Sequence, residues 1–202
     1  MHAFDEDAYL EAAKAGDFRK VLEPQRQLLN RLLDNPELEA GDPSQSLAEL
    51  TETVARLLRV GRASLWRFEE NRERLFCLDL YVVRDQRHVA GSAIQMSEAP
   101  SYFEAIRQGE ILAVNDAYTD PRTREFAKGY LAAFNIGAVL DAPLHVRRRL
   151  VGALCCEHIG GIRRWQPWER ILANSLAECA GIVLHQVVGQ LRRPTLRDIR
   201  LG

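Results

Sequence analysis

The stretch AVLDAPLHVRRRLVGALCCEHI, residues 138–159, decides the fold. Two apolar runs, Ala138–Val146 and Leu150–Ile159, flank the basic triplet Arg147-Arg148-Arg149. Side chains alternate between two faces along a strand, so the parity of polar and apolar residues shows which face is buried. Leu140, Ala142, Leu144 and Val146 make one clean apolar face, and Asp141 and His145 fall on the other. In the second run Cys155 and Glu157 share one face, Cys156 and His158 the opposite one. The pair reads as a β-hairpin with the arginines as a solvated tip. Gly160-Gly161 ends it.

A second hairpin lies upstream. Arg62–Phe68 and Leu75–Val83 are period-two runs joined by the polar turn Glu69-Glu70-Asn71-Arg72. Alternation places Phe76, Leu78, Leu80 and Val82 on one face and Cys77, Asp79 and Tyr81 on the other. Between the hairpins the spacing predicts a polar loop (84–91), a short strand near 93–96, a helix over 98–109, a strand over 110–115, turns over 116–123 and a helical stretch over 124–134. Outside them, residues 5–33 read as helix with interruptions at Gly16 and Pro24, followed by a polar linker over 35–43. Pro43 behind Asp42 opens a helix carrying Leu47, Leu50, Val54, Leu57 and Leu58. Pro167 opens a long helix with Ile171, Leu172, Leu176, Cys179, Ile182, Val183 and Val187 on its apolar positions.

This order predicts an α+β fold with a central antiparallel sheet. The terminal helices cover one face, and the loops and short helices of 84–135 cover the other, where a concave ligand site belongs. The expected division is a helical extension and linker over 1–43, a sheet-containing domain over 44–190 and a basic tail over 191–202.

The composition supports one folded body. Of 202 residues, 47% are hydrophobic and 27% charged, which excludes global disorder. No apolar run approaches the roughly 20 residues of a membrane span. The acidic start, with Asp5, Glu6 and Asp7, is no signal peptide, so a cytoplasmic protein is expected. A net charge of −1 argues against a nucleic-acid partner. The ends differ, with net −5 over 1–46 and net +4 over 160–202, which suits terminal helices that pack within a chain or form a homodimer. Cys77, Cys155, Cys156 and Cys179 are too few for a disulfide framework and are expected as buried thiols.

Several side chains are site candidates. Parity puts Asp141 and His145 on the loop-covered side, and the same logic puts Asp79 and Tyr81 there. In the middle segment Asp116 is a candidate polar anchor, with Tyr118 and Phe126 as walls. Glu157, Arg164, Trp165 and Glu169 read as a structural junction in which Trp165 plugs the sheet edge and the carboxylates serve its indole N–H and Arg164. Cys155-Cys156-Glu157-His158 invites a metal reading, with Cys77 as a further donor. Alternation lets at most two of the four share a site, which disfavours it. No nucleophile–base pair or phosphate-binding glycine loop appears, so no catalytic residue is assigned.

Residues 47–186 resemble a GAF domain, the small-molecule sensor module of bacterial and eukaryotic signalling proteins. The resemblance rests on Ser64-Leu65-Trp66-Arg67-Phe68, Tyr102-Phe103-Glu104-Ala105-Ile106, Val114-Asn115-Asp116-Ala117, Asp120-Pro121-Arg122-Thr123, Asp141-Ala142-Pro143-Leu144, and Leu150 to His158 followed by Arg164-Trp165 and Glu169. It implies a profilin-like fold whose sheet has five or six strands in core order 2-1-5-4-3, and a regulatory role. Tetrapyrrole-binding members attach the chromophore through a Cys near the helix that here spans 124–134. No Cys lies there, which disfavours a covalent bilin. The Asn-Lys-Phe-Asp-Glu signature of cyclic-nucleotide binders is absent. The four cysteines do not reproduce the set of members that reduce free methionine sulfoxide, although a thiol reductase stays an alternative, as does a ligand-free scaffold. The expectation is a sensory domain that binds an unidentified small molecule, dimerises through its terminal helices and signals to a separate effector, with no output domain of its own.

Overall fold

Period-two patterning and tight turns set the two hairpins. The structure, a computed structural model, describes residues 5–15, 17–34, 36 and 42–191. Strands β1 (Arg62–Phe68) and β2 (Arg74–Val82) form the first hairpin. The second joins two long strands, for which β6 (Ile136–Val146) and β7 (Arg149–Ile159) are the labels used below. Its two-residue turn holds Arg147 and Arg148 at φ 49° and 64°, the left-handed geometry whose twist matches the flanking strands. β1 pairs antiparallel with β7 and brings the hairpins together.

Three short strands complete the sheet. β3 (Arg87–Val89) and β4 (Ala93–Gln95) both pair with the free edge of β2, and β5 (Leu112–Val114) pairs with β6. Among the described residues the sheet has seven strands in the order β3-β2-β1-β7-β6-β5, with β4 beside β2. Setting aside β3 and β4, the five that remain, numbered in chain order, run 2-1-5-4-3, the order the family resemblance implies. The strand beyond the expected six is β3, inside the stretch read as a loop over 84–91.

One face is covered by helices from both ends of the chain. These are α1 (Glu6–Lys14), α2 (Phe18–Leu33), α3 (Ser44–Leu57) and α6 (Pro167–Leu191). In α3 the apolar spacing buries Leu47, Leu50, Val54 and Leu57, and Asp42 accepts from the Ser44 backbone N–H at 2.9 Å. They pack on Ala63, Leu65, Leu140, Ala142, Leu144 and Leu154 of the sheet. The first helices join the same core. Leu28 and Leu32 are buried, the Ser46 hydroxyl donates to the Leu32 carbonyl at 3.0 Å, and the Tyr9 ring meets Trp168 of α6 edge-on at 6.4 Å. Residues 1–4, all of the 35–43 linker except 36, 42 and 43, and the basic tail beyond Leu191 lie outside the described residues. Among the described residues no helix is long and apolar enough to cross a membrane.

The other face carries α4 (Pro100–Arg107), a 3-10 turn (Arg124–Phe126), a π-helical turn (Ala127–Leu131) and α5 (Ala132–Phe134). A second apolar cluster fills this side, with Trp66, Phe68, Leu75, Cys77 and Phe103 among its members.

A bulge corrects the expected facing of β2. Leu65 lies opposite Asp79 while the next residue, Trp66, lies opposite Cys77, so Leu78 is an extra residue. Such an insertion inverts the parity of everything beyond it. Leu75 and Cys77 face the α4 side before the bulge, and Leu80 and Val82 face it afterwards. Asp79 and Tyr81 therefore turn to the helix layer, not to the loop-covered side. Asp79 accepts from Thr51 Oγ1 of α3 at 2.5 Å, and Tyr81 packs against the helix-side core.

Candidate functional site

The loop-covered face encloses a cavity of about 750 Å³, within the usual range for small-molecule sites. Its floor is the sheet: Arg62 and Trp66 of β1, Cys77, Leu80 and Val82 of β2, Val139 and Asp141 of β6, Cys155 and Glu157 of β7. β3 and β4 form one wall through Val89 and Ile94, with Arg87 beside them. The roof is Tyr102 of α4 and the segment bearing Phe126, Gly129, Tyr130 and Phe134. The rings of Tyr102, Phe126, Tyr130 and Phe134 follow one another edge to face, with successive centroids 5.2, 6.4 and 5.2 Å apart. Phe126, at the end of the 3-10 turn, and Tyr130, in the π-helical turn, both line this cavity.

Two buried polar groups stand on the floor. The first is a closed ion pair. Arg62 Nε donates to Glu157 Oε2 at 2.6 Å, Tyr130 Oη donates to Glu157 Oε1 at 2.7 Å, and Arg62 Nη2 donates to Tyr130 Oη at 3.0 Å. The Arg62 guanidinium also lies 4.2 Å from the Phe134 ring centroid. Burial raises the Glu157 carboxyl above its ordinary range, with Arg62 pulling the other way.

The second is Asp141, 3% exposed. Its Oδ2 accepts from the Tyr102 hydroxyl at 2.8 Å, and that hydroxyl stands 3.5 Å from Cys155 Sγ. Among the described residues no donor reaches its Oδ1. Burial raises this carboxyl to about 7, so near neutral pH it exchanges between acid and carboxylate.

The two other carboxylates of the lining are already engaged. Glu125 accepts from the backbone N–H groups of Ser101 and Tyr102 at the start of α4, at 3.0 and 3.4 Å. Glu98 accepts from the Gln95 N–H at 3.1 Å. The thiols are poorly disposed to act as nucleophiles, which need the thiolate. Burial pushes Cys77 up to about 12, Cys155 and Cys156 well above their ordinary value, and Cys179 to about 11. Cys156 and Cys179 face the helix-side core and only Cys77 and Cys155 border the cavity. Among the described residues no three His, Cys, Asp or Glu side chains cluster as a metal ion requires.

Of the candidates read from the sequence, Asp141 and Phe126 line the cavity. Asp79 and Tyr81 do not, because of the bulge. Asp116 is a turn former instead of an anchor, accepting from the Tyr118 N–H at 3.1 Å and the Thr119 hydroxyl at 2.7 Å. Tyr118 is 39% exposed and stands outside the cavity. His145 is exposed where the β6–β7 register shifts after Leu144, with its ring near Gly109.

The contacts around Trp165 differ from those expected. Trp165 Nε1 donates to the Val114 carbonyl at 3.0 Å, not to a carboxylate. Arg163, rather than the exposed Arg164, pairs with Glu169, lies over the Trp165 ring and donates to the Leu58 and Arg59 carbonyls. Glu157 belongs to the cavity floor. Arg62, Trp66, Tyr102 and Tyr130 were missed. Arg62 carried a signal, as the charged residue opening an apolar strand with the parity of Ser64 and Trp66.

Comparison with known proteins gives a consistent picture. The GAF domain family model matches residues 42–184. No curated protein matches the chain. Among solved structures, the phycocyanobilin-bound GAF domain of a cyanobacterial phytochrome is similar with TM-score 0.67 and 13% identity, over 84% of this chain and 98% of that one. The blue-light absorbing form of the Thermosynechococcus elongatus PixJ GAF domain is similar with TM-score 0.59 and 22% identity, over 72% of this chain and 86% of that one. The free methionine-R-sulfoxide reductase of Neisseria meningitidis, in complex with its substrate, is similar with TM-score 0.66 and 14% identity, over 94% of this chain and 96% of that one. At these identities the likeness concerns the fold.

Proposed function

The chain belongs to the GAF domain family, and on that premise we propose that it is a sensory module whose cavity holds a small, mostly apolar organic molecule without a covalent bond. One observation carries this reading: a space of about 750 Å³ under an aromatic roof, with a buried carboxylate oxygen lacking a donor. A filled scaffold core would close such a space to native packing density and satisfy such an atom. Cysteine is absent from 124–134, so the bilins of the similar phytochrome and PixJ domains do not transfer as covalent adducts of that segment. The high thiol pKa values weigh against a thiol reductase. The readout in this proposal runs through the helix layer, where α6 exposes Ile171 and Ile182, to a second copy of the chain and a separate effector.

Native mass spectrometry of the purified protein tests both parts. The expected spectrum is a dimer carrying a releasable small molecule, or one that gains such a molecule from a metabolite extract. A ligand-free protein that takes up nothing removes the sensory reading, and a monomer at micromolar concentration removes the dimer.

A further inference from the structure

We propose that the cavity selects an organic cation: an aromatic or apolar body bearing a protonated amine whose N–H is received by Asp141 Oδ1. This rests on the reading of the cavity as a ligand site and names the chemistry of its occupant. Three observations converge. Asp141 is nine-tenths buried, lines the cavity and keeps an acceptor oxygen that no described donor reaches, while Tyr102 fixes the other oxygen at 2.8 Å. A buried acceptor without a donor is costly, and a charged donor offsets that cost most strongly.

The lining suits the same occupant. Aromatic rings attract cations; Tyr130 and Phe134 already receive the Arg62 guanidinium, and Trp66, Tyr102 and Phe126 also line the space.

The buried positive charge is already matched, while Arg87, the other cation of the lining, is solvent-exposed. Arg62 is held by Glu157 and Tyr130 and lies against Phe134, so an anionic ligand would have to break a buried pair to reach it. The free charge on the floor is therefore negative.

Proton linkage gives the site a signature. The groups facing the Asp141 carboxyl are the Tyr102 hydroxyl, the Cys155 thiol and the Cys156 backbone N–H, with the Glu157 charge acting on it as well. In the ligand-free protein this carboxyl titrates at about 7. A cation binds its ionised form, so binding releases a proton below that pH. Affinity then falls by up to about tenfold for each pH unit below 7.

The test uses three probes with one ring system: tryptamine (cation), tryptophol (neutral) and indole-3-acetate (anion), titrated calorimetrically into the full chain at pH 6 and pH 8. Tryptamine is expected to bind at least about tenfold more tightly than either of the others at pH 8. It should weaken at pH 6, with proton release seen in buffers of different ionisation enthalpy. Asp141→Asn is expected to bring tryptamine to the level of tryptophol. The wild-type series and its proton release decide the matter even if that variant folds poorly. Equal binding of all three, stronger binding of indole-3-acetate, or binding of tryptophol that strengthens at pH 6 overturns the cation inference while leaving a ligand cavity. If none of the three binds at millimolar concentration and no molecule co-purifies, the cavity reading falls and this inference with it.

Discussion

His88 shows how one residue ties the cavity wall to the helix layer. It sits in β3, whose neighbours Arg87 and Val89 border the cavity. Its Nδ1 lies 3.0 and 3.1 Å from the Asp79 carboxylate oxygens, its Nε2 lies 3.1 Å from Glu52 Oε1 of α3, and its ring stacks on Tyr81 at 4.8 Å. Burial pushes its pKa down, but the hydrogen bonds to Asp79 and Glu52 outweigh this and leave it above 6.5. A histidine raised in the folded state contributes stability that is fully present below its unfolded pKa and is lost as pH rises through the folded one. His88→Gln is therefore expected to cost on the order of 1 kcal/mol at pH 6, allowing for partial solvent screening, and clearly less at pH 9. Urea unfolding at the two pH values checks it; a cost that is equal or larger at pH 9 would remove the charged pairing. Asp79 also marks where parity alone stopped working. Alternation put Asp141 on the loop-covered face, where the structure has it, because β6 pairs regularly from Ala138 to Leu144. It misplaced Asp79 and Tyr81 because one extra residue, Leu78, lies between them and the hairpin turn, and a bulge leaves no periodic trace in one sequence.

At the scale of elements, the contact between α6 and β6 is set by a glycine. A Cβ placed on Gly181 would come within 2.2 Å of the His145 backbone carbonyl oxygen, so the helix can approach the strand this closely only without a side chain. Gly181→Ala sets two effects against each other. Helix propensity favours Ala by about 1 kcal/mol, while overpacking against a backbone atom costs about 1–3 kcal/mol. The clash should win, because a carbonyl in a paired strand cannot rotate away as a side-chain tip can. The expected result is a net loss of about 1–2 kcal/mol in urea unfolding, and a stabilised variant would show that the helix shifts freely over the sheet. Long elements such as α6 and the two hairpins were legible because their apolar periods run over many residues. The segment 84–134 was legible only in outline. Its strands are three residues long, and its helical stretch divides into 3-10, π and α turns. Most of the cavity roof comes from that segment, so Tyr130 and Phe134 had no periodic signal to reveal their role.

Across the whole molecule, the question is where the cooperative unit begins. The family model starts at residue 42, and the sequence suggested an extension over 1–43. The packing argues that α2 is part of the same core. Leu32, ten residues upstream of that start, is 0% exposed, and its carbonyl accepts from the buried Ser46 hydroxyl of α3. Arg31 Nε also pairs with Glu49 Oε1 at 2.9 Å, although an exposed pair of this kind adds little. Truncating a buried leucine costs about 2–5 kcal/mol where the surrounding structure cannot collapse, a large share of the roughly 5–15 kcal/mol that holds a domain together. Leu32→Ala is therefore expected to lower global stability by about 3 kcal/mol. Far-ultraviolet and tryptophan signals should still move in one transition, because Trp168 of α6 lies in the same cluster. A detachable helix would behave otherwise: the loss would stay below about 1 kcal/mol, or the helical signal would melt ahead of the tryptophan signal. The single-transition outcome would place α2 in one cooperative unit with α3, which contacts Asp79 and His88 on the strands that border the cavity.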